Sequence, residues 1–379
     1  MYIKKITLAL VMVLLSGCQE HSSNTPSVDS STKHATTSAA TPDVGKIIIE
    51  PKFANAQKFS DGLAQVQIAE EWNAQYWTGQ WGFVDKTGTL MIPAQYSNTQ
   101  PFHDGLAAVE ESGKWGFIDK AGKTVIPFDY ENVDSFSEGY AAVTLDGVTW
   151  GVIDKQGDLV VKPQYQSINS YSEGLAAVRI GDSGSGRYGF IDTKGQMVIP
   201  PKYAGTDRFT DGLALVSLSD KFGYIDKSGK LVIPLQYALA FEFSEGLAPV
   251  LIGEHDSGKW GAIDRTGKLV IAAKYDQLGF FVNGLADFLV GTYQTGKYGY
   301  INNKGETVVE PKYDSALDFS NGFAEVCNGR RGPTTCGFVD NLGHEVIPLK
   351  YEQVKFFSEG LAPVKIGTGK DGKWGYIGQ

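Results

Sequence analysis

The chain has 379 residues, a formal net charge of −9 and an aromatic content of 12%. This acidic balance argues against nucleic acid as a partner, because phosphate contacts need clustered Lys and Arg side chains. No stretch after residue 18 is long and apolar enough to be a transmembrane helix.

The N-terminus has the pattern of a secretory signal. Lys4 and Lys5 precede an apolar run at Ile6–Leu15, which is too short to span a bilayer but suits an h-region. The run closes on Leu-Ser-Gly-Cys, which resembles a bacterial lipobox ending at Cys18. The resemblance implies that residues 1–17 are a signal peptide and that Cys18 is acylated. An ordinary signal peptide with an incidental cysteine is the alternative.

Residues 18–44 are predicted to be the lipidated cysteine and a flexible tether. Eleven of the 26 residues in 19–44 are Ser or Thr, and almost none is large and apolar. Such a stretch buries too little surface to offset the entropy lost on ordering. Gln19 after the cysteine indicates outer-membrane sorting in a Gram-negative cell. We therefore expect a body held on a membrane by its N-terminal lipid.

Residues 45–379 contain three landmarks that each occur nine times in a fixed order. One is an aromatic followed by Gly, another resembles Phe-Ser-Glu-Gly-Leu-Ala, and the third resembles Val-Ile-Pro-x-x-Tyr. The first has its leading residue at Trp81, Trp115, Trp150, Tyr188, Phe222, Trp260, Tyr298, Cys336 and Trp374. Successive copies of this first landmark are 34 to 38 residues apart, which is typical of a repeat architecture.

The chain resembles the WG-repeat (KWG-repeat) family over residues 45–379. The resemblance implies a bacterial β-repeat protein and supplies no catalytic residues.

Each module is predicted to contain three strands. In the module from Gly105 to Tyr130, GLAAV, KWGFI and TVIP are strands, and DKAGK is a hairpin turn made by Asp119 and Gly122. Successive side chains of a strand point to opposite faces, and both faces of KWGFI are apolar. We therefore predict that the ring of Trp115, like its counterparts, lies in the core. The alternative is a row of rings on which a ligand stacks. We interpret Gly116 as leaving space for a neighbouring aromatic ring.

The predicted fold is all-β, with nine three-stranded modules in a curved β-hairpin superhelix. A closed propeller-like ring is the alternative, because the chain enters at Gly45–Ile49 in the second half of a hairpin and leaves at Trp374–Ile377 in the first half. In a ring these halves would pair, whereas in an open array both would be exposed edges. Nine modules exceed the usual four to eight propeller blades, which favours the open form.

Cys327 and Cys336 flank a short loop of one predicted hairpin, and Cys336 takes a position that is otherwise aromatic. We predict a disulfide between them, with two buried free thiols as the alternative. No histidine or further thiol lies near them in sequence, so no metal site or cofactor is expected.

Catalytic patterns are not evident. His103, His255 and His344 fall at unrelated positions, and no nucleophile elbow, phosphate loop or zinc motif occurs. The recurring Asp of FIDK is predicted to serve a turn.

The loops between GLAxV and the aromatic-Gly pair vary most, and a repeat protein often binds through such an edge. Trp72, Tyr76 and Trp77 stand out in the first of these loops, and Arg330 and Arg331 form a basic spot in the eighth. These five residues are the candidate binding residues, although the three aromatics could instead cap the first module.

The predicted function is a non-catalytic scaffold of the bacterial envelope that binds a protein or a cell-wall glycan. We expect it on the outer membrane, facing the periplasm or the cell surface. An envelope hydrolase or carbohydrate-active enzyme, with a site between modules, is the alternative.

Overall fold

The computed structural model describes residues 44–69, 71–72, 77–182, 184–330 and 334–379, and these ranges are almost entirely strand and turn. In chain order the strands are β1 (Ile47–Phe53), β2 (Asn55–Ser60), β3 (Leu63–Gln67), β4 (Glu71–Trp72), β5 (Trp77–Thr78), β6 (Trp81–Val84), β7 (Leu90–Tyr96), β8 (Asn98–Thr99), β9 (Leu106–Glu111), β10 (Lys114–Asp119), β11 (Thr124–Tyr130), β12 (Asn132–Val133), β13 (Tyr140–Thr144), β14 (Trp150–Asp154), β15 (Leu159–Tyr165), β16 (Ser167–Ile168), β17 (Leu175–Ile180), β18 (Arg187–Asp192), β19 (Met197–Tyr203), β20 (Gly205–Thr210), β21 (Leu213–Leu218), β22 (Lys221–Asp226), β23 (Leu231–Tyr237), β24 (Leu247–Ile252), β25 (Lys259–Asp264), β26 (Leu269–Tyr275), β27 (Gln277–Leu278), β28 (Leu285–Val290), β29 (Lys297–Asn302), β30 (Thr307–Tyr313), β31 (Ser315–Ser320), β32 (Phe323–Asn328), β33 (Thr335–Asp340), β34 (Glu345–Tyr351), β35 (Gln353–Val354), β36 (Leu361–Ile366) and β37 (Lys373–Gly378). A short 3₁₀ helix spans Gly369–Asp371. Within these ranges, no helix has the length and apolar character that a membrane crossing requires.

Apart from the small β4–β5 hairpin, the described strands form nine antiparallel sheets, which we call blades 1 to 9. Blade 1 is β2-β3-β6-β7, blade 2 is β8 to β11, blade 3 is β12 to β15, blade 4 is β16 to β19, blade 5 is β20 to β23, blade 6 is β24 to β26, blade 7 is β27 to β30, blade 8 is β31 to β34, and blade 9 is β35-β36-β37-β1. The prediction of three strands per module was wrong for eight of the nine blades. The stretch between the predicted modules supplies a first strand, which in blade 6 is reduced to the bridge between Ala240 and Val250.

The ring is closed by strands from the two ends of the repeat region. β1 pairs antiparallel with β37, with Ile47 opposite Ile377, Ile49 opposite Tyr376 and Phe53 opposite Trp374. The preferred open superhelix was therefore wrong, and the alternative closed ring is confirmed. Pairing removes both exposed edges that an open array would leave.

Each hydrophobic core lies between two successive blades. Between blades 2 and 3, Phe117 meets Phe136 with ring centroids 4.8 Å apart, and Ile126 and Ile153 complete the cluster. The junction of blades 9 and 1 repeats this arrangement, with Phe59 and Tyr376 at 5.1 Å. Blades thus stabilise one another mainly through shared apolar surface, as in other repeat proteins.

The glycine after each aromatic is required by the backbone of the adjacent strand. Opposite Gly116, the fourth strand of the blade bulges, because Trp115 pairs with Tyr130 while Phe117 pairs with Ile126. A Cβ at Gly116 would lie 2.8 Å from the carbonyl oxygen of Ile126. The interpretation that this glycine leaves space for an aromatic ring was wrong.

Two kinds of turn lie at one end of the blades, which we call the turn face. Blade 9 has only the turn between its first two strands, because its last two strands, β37 and β1, come from opposite ends of the repeat region. Asp119 Oδ1 accepts hydrogen bonds from the backbone N–H groups of Ala121 and Lys123, and Gly122 has φ +79°. Glu138 and Gly139 both have positive φ, as a two-residue type I′ turn requires. The second-to-third-strand loops lie at the opposite end of each blade, which we call the loop face.

Side chains from the turn face link successive blades around the ring. In most modules the acidic or amide residue of the Ser-Glu-Gly turn accepts a hydrogen bond from the glycine N–H of the next module. The bonds run from Gly105 to Asp61 (2.8 Å), Gly139 to Asp104 (2.7 Å), Gly174 to Glu138 (2.8 Å), Gly212 to Glu173 (3.1 Å), Gly246 to Asp211 (2.8 Å), Gly284 to Glu245 (2.8 Å), Gly322 to Asn283 (3.3 Å) and Gly62 to Glu359 (3.1 Å). The last bond crosses the closure of the ring.

Candidate functional site

Only some of the predicted binding residues fall within the described structure. Trp72 and Trp77 lie opposite each other on β4 and β5, a small hairpin within the first loop of the loop face. Their side chains lie outside the described residues, as do Tyr76 and Arg331. Cys18 and the rest of the predicted tether up to residue 43 also lie outside them.

Arg330 holds two neighbouring loops together. Its Nη1 donates to the carbonyl oxygen of Gly296 in the loop of blade 7 at 3.1 Å, and its Nη2 donates to the carbonyl oxygen of Asp314. Its guanidinium also lies 5.7 Å from the ring centroid of Tyr293. Arg330 therefore stabilises the loop face, and the 73% exposed Tyr293 presents an aromatic side chain there. Tyr293 was not among the predicted binding residues, although its aromatic side chain distinguishes the loop VGTYQTGK from IGEHDSGK and IGTGKDGK.

A cavity of about 990 Å³ opens between blades 8 and 9. It is lined by Gly45, Ile47, Glu325, Cys327, Thr334, Thr335, Cys336, Lys350, Tyr351, Glu352, Gln353, Val354, Lys355, Lys365, Ile366, Gly367, Thr368 and Trp374. Thr334 in one loop and Gly367 and Thr368 in the next line it, so the cavity reaches the loop face. The one sign of it in the sequence is Cys336, which stands where eight modules carry an aromatic residue.

Cys327 and Cys336 form a disulfide on the cavity wall, with an S–S distance of 2.04 Å. They are directly opposite each other on β32 and β33. Glu325 lies two residues before Cys327, on the same face of β32, with its Oε1 3.4 Å from Cys327 Sγ. Since both sulfurs are bonded to each other, neither is a thiolate, and this trio offers a cation little more than one carboxylate.

The charged side chains that line the cavity differ in their pKa shifts and in their hydrogen-bond partners. Burial raises the pKa of Glu325 to about 7 and lowers that of Lys355 to about 8. Lys355 Nζ donates to Asn55 Oδ1, the Ala56 carbonyl and Gln57 Oε1 across the ring closure, at 2.7 to 3.0 Å. Lys365 Nζ pairs with Glu352 at 3.2 Å.

Another group of carboxyls lies between blades 7 and 8. Asp287 occupies the space that a side chain on Gly279 would need, because a Cβ there would lie 1.9 Å from Asp287 Oδ1. Burial and the neighbouring Asp318 carboxylate raise the pKa of Asp287, and burial raises that of Asp318. The buried Tyr300 hydroxyl donates to the Leu317 carbonyl at 2.8 Å beside them.

These raised pKa values predict that the protein loses stability as pH rises. The folded state keeps protons on Asp287, Asp318 and Glu325 that the unfolded chain releases near pH 4, so their contribution is complete below pH 4 and is lost as pH rises through the folded pKa values. We expect Asp287→Asn to unfold at higher urea concentration than the wild type at pH 8, with a smaller gain at pH 5. Asp158→Asn, at an exposed position, is the control; an equal gain in both variants would contradict the assignment.

Comparison with known proteins supports the fold. The family model described as WG containing repeat matches residues 44–72, 81–115, 115–148, 150–182, 188–222, 222–254, 260–291, 298–330 and 337–374. No curated protein matches the chain.

Several solved structures are similar to this chain at low identity. One, described as the crystal structure of the eukaryotic initiation factor, has a TM-score of 0.54 and 12% identity, covering 76% of this chain and 87% of that chain. Pyrococcus horikoshii acylaminoacyl peptidase gives 0.39 and 11%, covering 84% and 58%. The WD40 beta propeller domain of Doa1 gives 0.32 and 14%, covering 75% and 97%. At such identities the likeness concerns the fold alone.

Most matched repeats span the third and fourth strands of one blade and the first and second strands of the next, so each match links two neighbouring blades. The ring-closing pair joins the first match to the last. The chain therefore belongs to the WG-repeat family, and its nine repeats form the blades of a closed β-propeller.

Proposed function

We propose that this protein is a lipid-anchored binding scaffold of the bacterial envelope, which holds a protein or a cell-wall glycan on its loop face. The observation that carries the proposal is the distribution of variation. The modules repeat their strands, cores and turns, whereas the second-to-third-strand loops differ in length and composition and lie at one end of the blades.

The two ends of the blades differ in how their polar groups are used. On the turn face, most of the acidic and amide residues of the Ser-Glu-Gly turns accept hydrogen bonds from the next blade, which occupies them in joining the ring. On the loop face, the cavity between blades 8 and 9 and the exposed ring of Tyr293 offer both a recess and an aromatic contact. Aromatic side chains are enriched in binding interfaces because they bury a large area with few rotatable bonds.

Site-specific photo-crosslinking in bacterial cells tests this proposal. A photoreactive amino acid is placed at Tyr293 on the loop face or, as the matched control, at Leu342, which is 67% exposed in a turn on the turn face. We expect a reproducible protein or glycan adduct from position 293 and little from position 342. Equal adducts from both positions, or none from 293, would contradict binding through the loop face.

The same cells test the anchor. The full-length chain is expected to sediment with membranes, and Cys18→Ser is expected to release it into the soluble fraction, because the acyl chains supply about 0.8 kcal/mol per buried methylene. Membrane sedimentation unchanged by Cys18→Ser would remove the lipid anchor from the proposal while leaving the crosslinking result intact.

A second candidate, hydrolysis of an envelope glycan, is motivated by two carboxylates in one cavity. Glu325 and Glu352 both line it, and burial raises the pKa of Glu325 to about 7, as a general acid requires. Release of reducing ends from purified cell-wall glycan, lost on Glu325→Gln, would favour this function over a scaffold.

A further inference from the structure

We propose that the Cys327–Cys336 disulfide is a site of thiol–disulfide exchange that accepts a dithiol through the cavity between blades 8 and 9, with Glu325 as its proton donor. Three observations support this site: the disulfide, the cavity that both cysteines line, and the contact between Glu325 and Cys327. The site does not depend on the proposed binding function.

Access to the disulfide follows from a missing aromatic ring. In other modules the aromatic before the conserved glycine packs at the junction with the next blade, as Trp115 does between blades 2 and 3 and Phe222 does between blades 5 and 6. At the junction of blades 8 and 9 this position is Cys336. A cavity of about 990 Å³ lies at that junction, with both cysteines among its lining residues. Cys336 therefore places a sulfur where the other modules have a ring. Both cysteines are buried, at 5% and 3% exposed, so the cavity is the route by which a dithiol would reach their sulfurs.

The carboxyl group of Glu325 is placed to exchange a proton with one of the two sulfurs. Its Oε1 is 3.4 Å from Cys327 Sγ. Burial raises the pKa of Glu325 to about 7, so a substantial fraction of the group is protonated at neutral pH. An ordinary cysteine thiol has a pKa of about 8.5, so transfer of the proton from this carboxyl to a Cys327 thiolate is favourable.

The exchange proceeds in two balanced steps. A thiolate of the incoming dithiol, which has lost its proton to solvent, attacks Cys336 Sγ, forming a mixed disulfide and breaking the bond to Cys327. The Cys327 thiolate takes the proton of Glu325, which later recovers one from solvent. The second thiolate of the reductant then attacks its own mixed-disulfide sulfur, and Cys336 leaves as a thiolate that solvent protonates. Two electrons pass to the protein, and the reductant becomes a disulfide.

The test measures reduction of the native full-length protein by dithiothreitol, with alkylation quenching and mass spectrometry of the Cys327–Cys336 peptide. We expect reduction without loss of the near-ultraviolet circular dichroism signal. We expect Glu325→Gln to slow it by at least about tenfold at pH 6.5, since a positioned proton donor contributes at least that much. Asp287→Asn, at the equivalent position of blade 7, is the matched control and should leave the rate unchanged.

The dependence of the rate on pH separates proton donation from a merely structural role. The ratio of the wild-type rate to the Glu325→Gln rate should be largest below pH 7 and should approach one above pH 8, as Glu325 loses its proton. The charged groups that line the cavity with it, Lys350, Lys355, Lys365 and Glu352, are the same in both proteins. Reduction that requires denaturant, or equal rates for wild type and Glu325→Gln at all pH values, would overturn the proposal.

Discussion

Replacing Ile49 by Asp will open the ring and lower the free energy of unfolding by more than about 4 kcal/mol. Ile49 is 3% exposed and pairs with Tyr376, and its side chain packs against Gly88 in the first blade. A carboxylate at this point would be buried in an apolar cluster, and removing its charge from water is strongly destabilising. Urea unfolding followed by tryptophan fluorescence measures the loss.

The adjacent residue supplies the control. Ile48 belongs to the same strand but is 47% exposed, so Ile48→Asp should change the free energy of unfolding by only about 0.5 kcal/mol. Similar small effects at both positions would mean that β1 does not close the ring in solution. Both variants add the same charge to the same strand, so the difference between their free energies of unfolding reports the contribution of the buried ring-closing contact.

Replacing Gly151 by Ala will destabilise the protein by about 3 kcal/mol or more. A Cβ at this position would lie 2.5 Å from the carbonyl oxygen of Val161 and 2.9 Å from the backbone nitrogen of Pro163. These are backbone atoms of the bulged fourth strand, so they can move only if the pairing between β14 and β15 changes. The thermal unfolding midpoint and the urea midpoint should both fall.

Gly139, in the same blade, provides a control that distinguishes steric crowding from strain in the backbone conformation. It has φ +85°, but a Cβ there would have no neighbour within 4 Å. Gly139→Ala should therefore show only the cost of the left-handed conformation, about 1–2 kcal/mol. A loss at Gly139 as large as that at Gly151 would contradict the backbone explanation of the repeated glycine.

Much of the module could be predicted from its own residues. The turn at Asp119 and Gly122 and the strands around Trp115 depend on contacts between residues close in sequence, so their side-chain pattern was sufficient. In blade 3 the first strand was missed, because β12 contains only Asn132 and Val133 and is held by pairing with β13. Two residues carry no periodic pattern from which a strand could be recognised.

The candidate site was predicted less well than the module. Arg330 was predicted to bind a partner because it is basic. In the structure, its guanidinium donates hydrogen bonds to the carbonyl oxygens of Gly296 and Asp314. The cavity depends on side chains from two blades, including Glu325 and Lys355, and no local pattern relates positions so placed. Whether a charged group is available for binding is decided by its neighbours in space.

By itself the sequence determined that nine equivalent all-β modules stack through aromatic cores, since each module's strands and turns are encoded within fewer than forty residues. Only the tertiary structure decided that the stack closes. Closure depends on the small rotation between successive blades. This rotation is set by the packing of one blade on the next, so the residues of a single repeat do not predict it. Summed over nine blades, that rotation brings β1 beside β37, where their hydrogen bonds and apolar side chains complete the ring.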